Sequence, residues 1–549
     1  MPRLSRESAA ALPAPSSADL DLVAALRGEL LAAGFTNLHV AELLGEDAVA
    51  ALGREQIAPG QLQVGRLLAA QRPDPGAVLA ALWLLDVEVP AVVVDSALPG
   101  VGAAGLVRLG LAHRDGPLCR PSVDLRPFQV AGGSSTEDLW VASDLSSHQV
   151  DGALPAEHVL GIGQASLTLA SITHRRPVRR ALDIGTGCGI QLFQLLDHAE
   201  HVVATDISSR ALGFARFNLL LNAEALRLDP ARLDARVELR EGSLLEPVAG
   251  ERFDLVVSNP PFVITPRATE ARVGERYTYR DGGRTGDELM AELVAGLAAV
   301  LAPGGTAQML GNWEVHGEAD WQQRPRRWAE EAGLDAWFIQ RDLQDGPGYA
   351  ETWLRDASEQ RDIDDYRGRC SDYVEDFAAR GVSAVGFGMV WLHRPEAGDD
   401  DSSSVRWCRA EEITHPVDQP LGPALGRTTQ RALAVAREPD AVLDLRLVVA
   451  EDVTEERHQR FGAADPEVIL ARQGGGLRRI RPVSSGAAGV LGAADGEFAV
   501  GQLITAVGAL LDDGTVDVAE LTAGLRGEIL DLYVDGFLTE ASEEGAGRF

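Results

Sequence analysis

No lysine occurs anywhere in the 549-residue chain, so all 50 of its Lys and Arg positions are arginine. Schiff-base chemistry, a phosphate-loop lysine and the Tyr/Lys pair of short-chain dehydrogenases are thereby excluded. Cysteine is almost as scarce. Cys119, Cys188, Cys370 and Cys408 are scattered, with no paired metal-ligand spacing and no secretory leader ahead of them. Reduced thiols in a cytoplasmic setting are the plain expectation, with no metal site. Met1-Pro2-Arg3-Leu4-Ser5-Arg6 runs into Ala, Pro and Ser without the apolar core that a leader requires. Nothing approaches the roughly 18 continuous apolar residues of a membrane span, so no membrane contact is expected. Positive charge is in short supply as well: 82 acidic side chains against 50 basic ones leave a formal charge of −32. Broad non-specific affinity for nucleic acid or anionic membrane is disfavoured, because phosphate binding is built mostly from Lys and Arg.

What the chain does have is length and one dense stretch of pattern. There is room for about three or four domains. Three segments between Arg180 and Ile264 carry the pattern. In the first, the partly apolar run Val178 to Ile184 ends in Leu182-Asp183-Ile184-Gly185-Thr186-Gly187-Cys188-Gly189-Ile190, and an apolar spacing suited to a helix resumes from Ile190 to Asp197. The glycines fall at a strand-to-helix corner. Lacking a Cβ, they let the backbone approach a ligand, and the following helix offers unpaired N–H groups to a polar or anionic group. A glycine cap or tight turn with no ligand gives the same pattern.

The second segment, Val202-Val203-Ala204-Thr205-Asp206-Ile207, places Asp206 at the end of the next apolar run. That is roughly twenty residues past the turn, where dinucleotide folds hold the acid that accepts from ribose hydroxyls. The alternative is an N-cap for a helix beginning near Ser208. The third segment is Phe253-Asp254-Leu255-Val256-Val257-Ser258-Asn259-Pro260-Pro261-Phe262. Leu255 to Ser258 reads as a buried strand, and Asn259 to Phe262 follows at its carboxyl end, where open α/β sheets bind ligands. Two prolines fix φ and remove two N–H groups, so the Asn259 and Pro260 carbonyls can be held in a rigid turn. With the Asn259 side-chain oxygen they suit an amino or amide group that has hydrogens to donate, and Phe262 supplies a face for a flat substrate. A strand-terminating proline turn is the bland alternative.

In these segments the chain resembles the class I S-adenosylmethionine-dependent methyltransferases. Within them it is similar to the amino-methylating group with an Asn-Pro-Pro-aromatic signature, which includes release-factor glutamine methyltransferases and several RNA or DNA base N-methyltransferases. The resemblance implies an α/β fold with a Rossmann-like, mostly parallel sheet in three layers, and S-adenosyl-L-methionine as cofactor. It implies that Asp183, Gly185, Thr186, Gly187 and Gly189 line the methionine end of the cofactor, that Asp206 with Ile207 holds the ribose, and that Ser243 and Leu244, after Gly242, flank the adenine. Asn259, Pro260, Pro261 and Phe262 then seat the target nitrogen, with Asn259 also bordering the cofactor. The likeness extends to Tyr279-Arg280-Asp281-Gly282-Gly283-Arg284-Thr285-Gly286, similar to an Asp-Gly-Gly stretch of glutamine methyltransferases, and to Leu301-Ala302-Pro303-Gly304-Gly305. It covers roughly residues 150 to 315. One departure stands out: Val159 to Ser166 replaces the Arg-Pro and acidic segment that glutamine methyltransferases carry before the first strand.

The flanks divide by composition. Residues 1–17 read as a loose Pro-rich tail, and residues 1–150 as a mainly helical module. In it Leu106 to Leu111 and Arg114-Asp115-Gly116-Pro117 suggest short strands around a hairpin turn. Helices followed by such a wing resemble winged-helix modules, which bind nucleic acid or serve as protein-docking elements; the net acidity of this region favours docking. The methyltransferase-like domain is expected over 151–395, with His158 to Ser171 helical, Gly163 to Ser166 a candidate lid, and Ala384 to His393 the edge strand that ends the sheet. Pro395 to Ser404 is a linker by composition. Residues 405–549 form a C-terminal α+β region, again winged-helix-like, with a strand over Val442 to Val449 and another from Leu532 to Leu538.

The expected chemistry is in-line methyl transfer to a neutral nitrogen. A protein or peptide amide of the glutamine type is the favoured acceptor, an RNA or DNA base the alternative, and a non-catalytic cofactor-binding regulatory protein a third reading. Oligomeric state is left open.

Overall fold

The computed structural model describes residues 4–5, 12–54, 56–130, 138–151, 154–267, 280–396, 407–511 and 518–541. Its centre is an eight-stranded sheet built from β1 (Val178–Ile184), β2 (Ala199–Asp206), β3 (Val237–Glu241), β4 (Phe253–Ser258), β5 (Leu301–His316), β6 (Asp335–Asp345), β7 (Val382–His393) and β8 (Cys408–Glu412). The strands lie in the order β3-β2-β1-β4-β5-β7-β6-β8. From β3 to β5 every neighbour is parallel, while β7 runs antiparallel to both β5 and β6. Order reverses between β1 and β4, which opens a crevice beyond their carboxyl ends, the place where such sheets take ligands. Ala181 to Ile184 in β1 and Leu255 to Ser258 in β4 are buried throughout, as strands covered by helices on both faces must be. The helices Ile190–Leu196, Ser209–Leu221 and Glu288–Val300 contribute Phe193, Phe214, Phe217, Met290 and Leu293 to that cover.

The edge expectation for Ala384 to His393 does not hold. The strand begins at Val382 and sits between β5 and β6, and β8 follows β6 at the outer edge. Met389 to Leu392 are buried, as an interior position demands. The Cys-Arg-Ala-Glu-Glu sequence of β8 suits an edge better, since charged side chains blunt an unpaired ladder. Between β6 and β7 the helices Gly346–Asp356 and Ile363–Arg380 pack Tyr349, Leu354, Tyr373 and Phe377 into one apolar cluster with Ile264.

By contact density the chain falls into two compact units, one of residues 1–170, 176–403 and 410–412, the other of 171–175, 404–409 and 413–549. The first unit opens with helices Leu20–Ala32, Asn37–Leu44, Glu46–Leu52, Ala58–Leu68 and Pro75–Trp83. Then come Val89–Pro90, helices Ala91–Ala97 and Gly102–Leu109, and strands Ala112–Asp115 and Leu118–Pro121, the three strands ordered with Leu118–Pro121 in the middle. Leu106 to Leu109 is thus helical and not strand, closed by Gly110 in the left-handed region at φ 74°. Trp140 to Ala142 lie in the strand Leu139–Ser143, paired with Asp124–Phe128. Asn218 and Asn222, one turn apart on a buried helix, exchange amide hydrogen bonds with the backbones of Ala142 and Trp140 at 2.7–2.9 Å. They bond main-chain groups of a strand whose only sheet neighbour among the described residues is Asp124–Phe128.

The described part of the expected loose tail is held in place: Ser16 N donates to Leu109 O, Arg210 donates to Leu12 O, and Leu12 packs on Leu145 and Val150. Among the described residues no single helix is long and apolar enough to cross a membrane.

In the second unit, helix Gly422–Arg437 accompanies two three-stranded antiparallel sheets, Val453–His458 with Val468–Gln473 and Ile480–Val483, and Asp495–Ala499 with Arg446–Val449 and Leu538–Glu540. Helices Ser485–Ala493, Val500–Leu510 and Val518–Asp535 complete it around Leu447, Val490, Ile504, Ile529 and Phe537. Two expectations are corrected here. Val442 lies in the helix Pro439–Leu443, which starts at a proline that presets φ, and Leu532 to Asp535 prolong the last helix because Leu532 and Tyr533 face its buried side. The linker residues Asp399 to Ser404, the stretch Gly132 to Thr136 and the tail Glu543 to Gly545 lie outside the described residues.

Candidate active site

The glycine turn leaves β1 with Gly185, Gly187 and Gly189 at φ 72°, 56° and 94°, a region that side chains with a Cβ rarely enter. At Gly189 the left-handed φ is what asks for glycine: a Cβ would meet Ala215 Cα at an ordinary 3.5 Å and press only on the end of the Leu192 side chain, at 3.3 Å. The N–H groups of Gly185 and Thr186 both donate to Thr205 O, at 2.9 and 3.0 Å, tying the turn to the end of β2. Asp183 is fully enclosed, and neither its Oδ2 nor the Thr186 hydroxyl oxygen has a hydrogen-bond partner. Burial pushes the Asp183 carboxyl up to about 7, against a pull downward from the neighbouring Thr186 hydroxyl and with the Asp206 charge adding to the rise. Cys188, in the same turn, is inert by the same cause: burial drives its thiol up to about 12.

Asp206 ends β2. Its Oδ2 accepts from Gly187 N and its Oδ1 from Ser208 N, both at 2.9 Å. The helix that follows is capped by Ser208, whose hydroxyl accepts from Ala211 N, so the acid binds the glycine turn while a neighbour does the capping. Ile207 is 59% exposed immediately beyond it. Ser243 and Leu244 follow β3, Leu244 at φ 47° with its carbonyl accepting from the Thr205 hydroxyl. Gly242 N donates to Asp206 O. Asp183 to Gly189, Asp206 with Ile207, and Ser243 with Leu244 therefore stand side by side on the tips of β1, β2 and β3.

The Asn259 corner leaves β4 on the other side of the glycine turn. Ser258 pairs with Ile184 and its hydroxyl donates to Ile184 O at 2.9 Å. A Cβ on Gly185 would lie 4.0 Å from Asn259 O, so turn and corner are neighbours. Asn259 Oδ1 is buried and lacks a hydrogen-bond partner. An orphaned buried acceptor costs on the order of 1–3 kcal/mol. Pro260 O accepts from Phe262 N at 2.8 Å, closing a tight turn that leaves the second lone pair of that carbonyl. Phe262 meets Trp353 edge to face at 6.3 Å.

Residues that sequence reasoning missed hold this corner. Asn312, buried in β5, donates through Nδ2 to Phe262 O at 2.9 Å. Ile264 N donates to the Tyr349 hydroxyl at 2.8 Å, and Val263 N to Arg280 O at 2.9 Å. The Asp-Gly-Gly stretch is close-packed here: Phe262 bridges Asp281, and a Cβ on Gly282 would come within 2.8 Å of Pro261 O. Tyr279 lies outside the described residues.

A cavity of about 1600 Å³ opens over Asn259, Pro260 and Phe262. Gly163 to Ser166, the candidate lid, are in its wall, with Gln164 to Ser166 forming the first turn of a helix that begins at Gln164, not His158. Gly185 to Gly189 and Asp206 are not among its lining residues. The acceptor corner thus faces the cavity while its backbone side faces the glycine turn. The three adjacent strand tips, the glycine backbone open above Gly187 and the orphaned Asp183 and Thr186 oxygens fit an adenosyl amino acid with an ammonium group and ribose hydroxyls to donate.

Strand order, glycine turn and acceptor corner define a class I S-adenosylmethionine-dependent methyltransferase domain. Residues 160–320 match the family model described as the methyltransferase small domain, and residues 32–122 match a model described as a domain of unknown function. The chain is 39% identical over 131 residues to a release factor glutamine methyltransferase of Geobacter sulfurreducens, covering 23% of this chain and 42% of that protein. It is 31% identical over 160 residues to a ribosomal protein uL3 glutamine methyltransferase of Bradyrhizobium diazoefficiens, covering 28% and 46%. A solved phosphoethanolamine N-methyltransferase 2 of Haemonchus contortus in complex with S-adenosyl-L-methionine aligns at 17% identity with a TM-score of 0.25, over 43% of this chain and 53% of that one. The chain spans about half the length of the curated relatives it matches.

Proposed function

We propose that the protein is an S-adenosylmethionine-dependent N-methyltransferase of the cytoplasm that methylates the side-chain amide of a glutamine in a protein acceptor. One observation carries the reading: the buried, unpartnered Asn259 Oδ1 at the tip of β4, one strand away from the glycine turn. S-adenosyl-L-methionine, held by Asp183, the glycine turn, Asp206 and the Ser243-Leu244 tip, supplies an electrophilic methyl group. The chain itself does the positioning. Asn259 Oδ1 and the free lone pair of Pro260 O accept the two amide hydrogens and turn the nitrogen lone pair toward the cofactor side, while the Phe262 ring keeps the amide plane from rotating. Orientation and water exclusion of this kind are worth roughly 7–11 kcal/mol of barrier. Transfer would leave S-adenosylhomocysteine and a protonated N-methyl amide, whose proton is acidic enough to pass to water in the open cleft, so no strong base is needed. The names of the matched relatives support the glutamine acceptor, and the chain's net charge of −32 favours protein over nucleic acid.

Incubation of the full chain with methyl-tritiated cofactor and a fractionated lysate tests this. Label is expected in protein and, after complete enzymatic digestion, in N-methylated glutamine. Label confined to RNA or DNA, or no transfer to any fraction, would overturn it.

A further inference from the structure

Strand β5 outruns its neighbour. Its last pair with β4 is Met309 with Ser258, yet it continues to His316. Past Met309 no strand among the described residues flanks it on that side, and two loops lie along the overhang instead. The first is the acceptor corner, which Asn312 holds through Phe262 O. The second is the stretch of residues 281–287. Its last residue, Asp287, accepts the main-chain N–H of Glu314 through Oδ2 at 2.9 Å, which meets a buried donor that the absent strand would have taken.

Asp287 is a firm anchor. Its side chain is fully enclosed, and Arg324 donates to both of its oxygens, through Nη2 at 2.5 Å and Nε at 2.6 Å. A carboxylate gripped by a guanidinium fork and a main-chain N–H has one orientation. Gly286 seats the stretch on the same strand: at φ 59° it is left-handed, and a Cβ there would stand 2.7 Å from Glu314 Oε1. The other end of the stretch is joined to the acceptor corner. Arg280 O accepts from Val263 N at 2.9 Å, Asp281 bridges Phe262, the Thr265 hydroxyl donates to Asp281 Oδ1 at 2.6 Å, and a Cβ on Gly282 would come within 2.8 Å of Pro261 O. A shift at Asp287 therefore has Pro261 and Phe262 at its far end.

Resting on the reading above, we propose that Asp287 is a positioning residue for methyl transfer: it pins residues 281–286 to the overhang of β5, and the pinned stretch keeps Pro261 and Phe262 where the Asn259 corner can seat the acceptor nitrogen. One strand then holds the corner from two directions, through Asn312 on the proline turn and through Asp287 on the stretch that backs it. Loss of Asp287 loosens the backing and leaves the bond from Asn312 in place. Misplacement on the scale of 1 Å costs roughly a hundredfold in rate, so a small slackening is enough to be read in kcat.

The test compares the full native chain with Asp287→Ala, Asp287→Asn and Gly286→Ala. Amide hydrogen exchange is read by mass spectrometry on peptides covering residues 260–265, without cofactor; cofactor Kd is read by calorimetry; methyl transfer is read as tritium entering the protein fraction of a lysate over a range of its concentration. Asp287→Ala is expected to speed exchange in residues 260–265 at least about tenfold, while residues 181–184 of β1 stay as protected as in the native chain. Cofactor Kd should stay within about twofold, and kcat should fall about 10- to 100-fold with acceptor KM changed less than about threefold. Asp287→Asn keeps an oxygen for the Glu314 N–H and should lie within about threefold of native in exchange. Gly286→Ala leaves every hydrogen-bonding group in place but lifts the stretch off Glu314, so it should show the same two defects, and it decides the matter if Asp287→Ala does not fold. Native exchange at 260–265 in both variants overturns the inference, as does faster exchange everywhere with kcat per folded molecule intact, or a rise in KM alone. Local loosening in a chain that labels no protein upholds the clasp and sinks the methyltransferase reading. Transfer by the native chain that both variants match does the reverse.

Discussion

Asn312 Nδ2 stands 2.9 Å from the carbonyl oxygen of Phe262, so the middle of β5 is bonded to the loop that leaves β4. Asn312 is buried and Phe262 half-buried, and this contact bears on where the Phe262 ring lies over the cleft. Asn312→Ala is expected to lower kcat by roughly 10- to 100-fold, the scale on which small misplacements of reacting groups act. Cofactor Kd should not move. A fall in stability with kcat intact in the folded fraction would mean that Asn312 is structural only.

Tyr349→Phe removes the acceptor of the Ile264 N–H inside the aromatic cluster. A buried donor left unpaired costs roughly 1–3 kcal/mol, so the urea midpoint should fall while the slope of the transition stays constant. The positioning role predicts in addition that kcat falls and acceptor KM rises little.

Asp206 serves two masters, the Gly187 N–H and the ribose that the strand-tip geometry leaves room for. Asp206→Asn keeps an acceptor oxygen but loses the charge. Hydrogen bonds to a charged group are worth roughly 1.5–3 kcal/mol, so calorimetry should show cofactor affinity weakened by about 10- to 100-fold.

The Asp183 carboxyl gives a pH signature. Burial raises it from 3.8 to about 7, so between those values the folded chain keeps a proton that the unfolded chain has released. The stabilisation from this group is complete below the lower value, declines as pH rises through the window, and is gone above about 7. Asp183→Asn, which mimics the protonated form, should therefore gain Tm relative to the native chain between about pH 5 and pH 8. A difference that does not change with pH would show that the carboxyl ionises normally.

How legible all this is from sequence depends on how local the cause is. A left-handed turn needs glycine and a rigid corner needs proline, so Gly185 to Gly189 and Asn259 to Phe262 announce themselves in a few adjacent residues. The parallel core of the sheet follows from runs such as Leu255 to Val257. Asn312 does not announce itself, because its partner is fifty residues away and a polar residue inside Gly311-Asn312-Trp313 reads only as an interrupted strand. Tyr349 lies in helices inserted between β6 and β7, whose amphipathic pattern says nothing about the loop they support. Asn218 and Asn222 do leave a signal, two amides one turn apart on a buried helix, but what they bind is the strand Leu139–Ser143, which has no alternating pattern to betray it. The sixth-to-eighth strand order fails for a similar reason: a wholly apolar strand and an edge strand differ in their neighbours before they differ in their letters.

The most direct measurement compares Asn259→Ala with the native chain in two readings on one preparation, cofactor Kd by calorimetry and methyl transfer to protein acceptor by tritium incorporation. Cofactor affinity within about twofold of native and transfer reduced by at least about a hundredfold is the predicted result. Undiminished transfer would contradict the assignment of the corner, and a collapse of cofactor affinity with it would place Asn259 in the wrong half of the site.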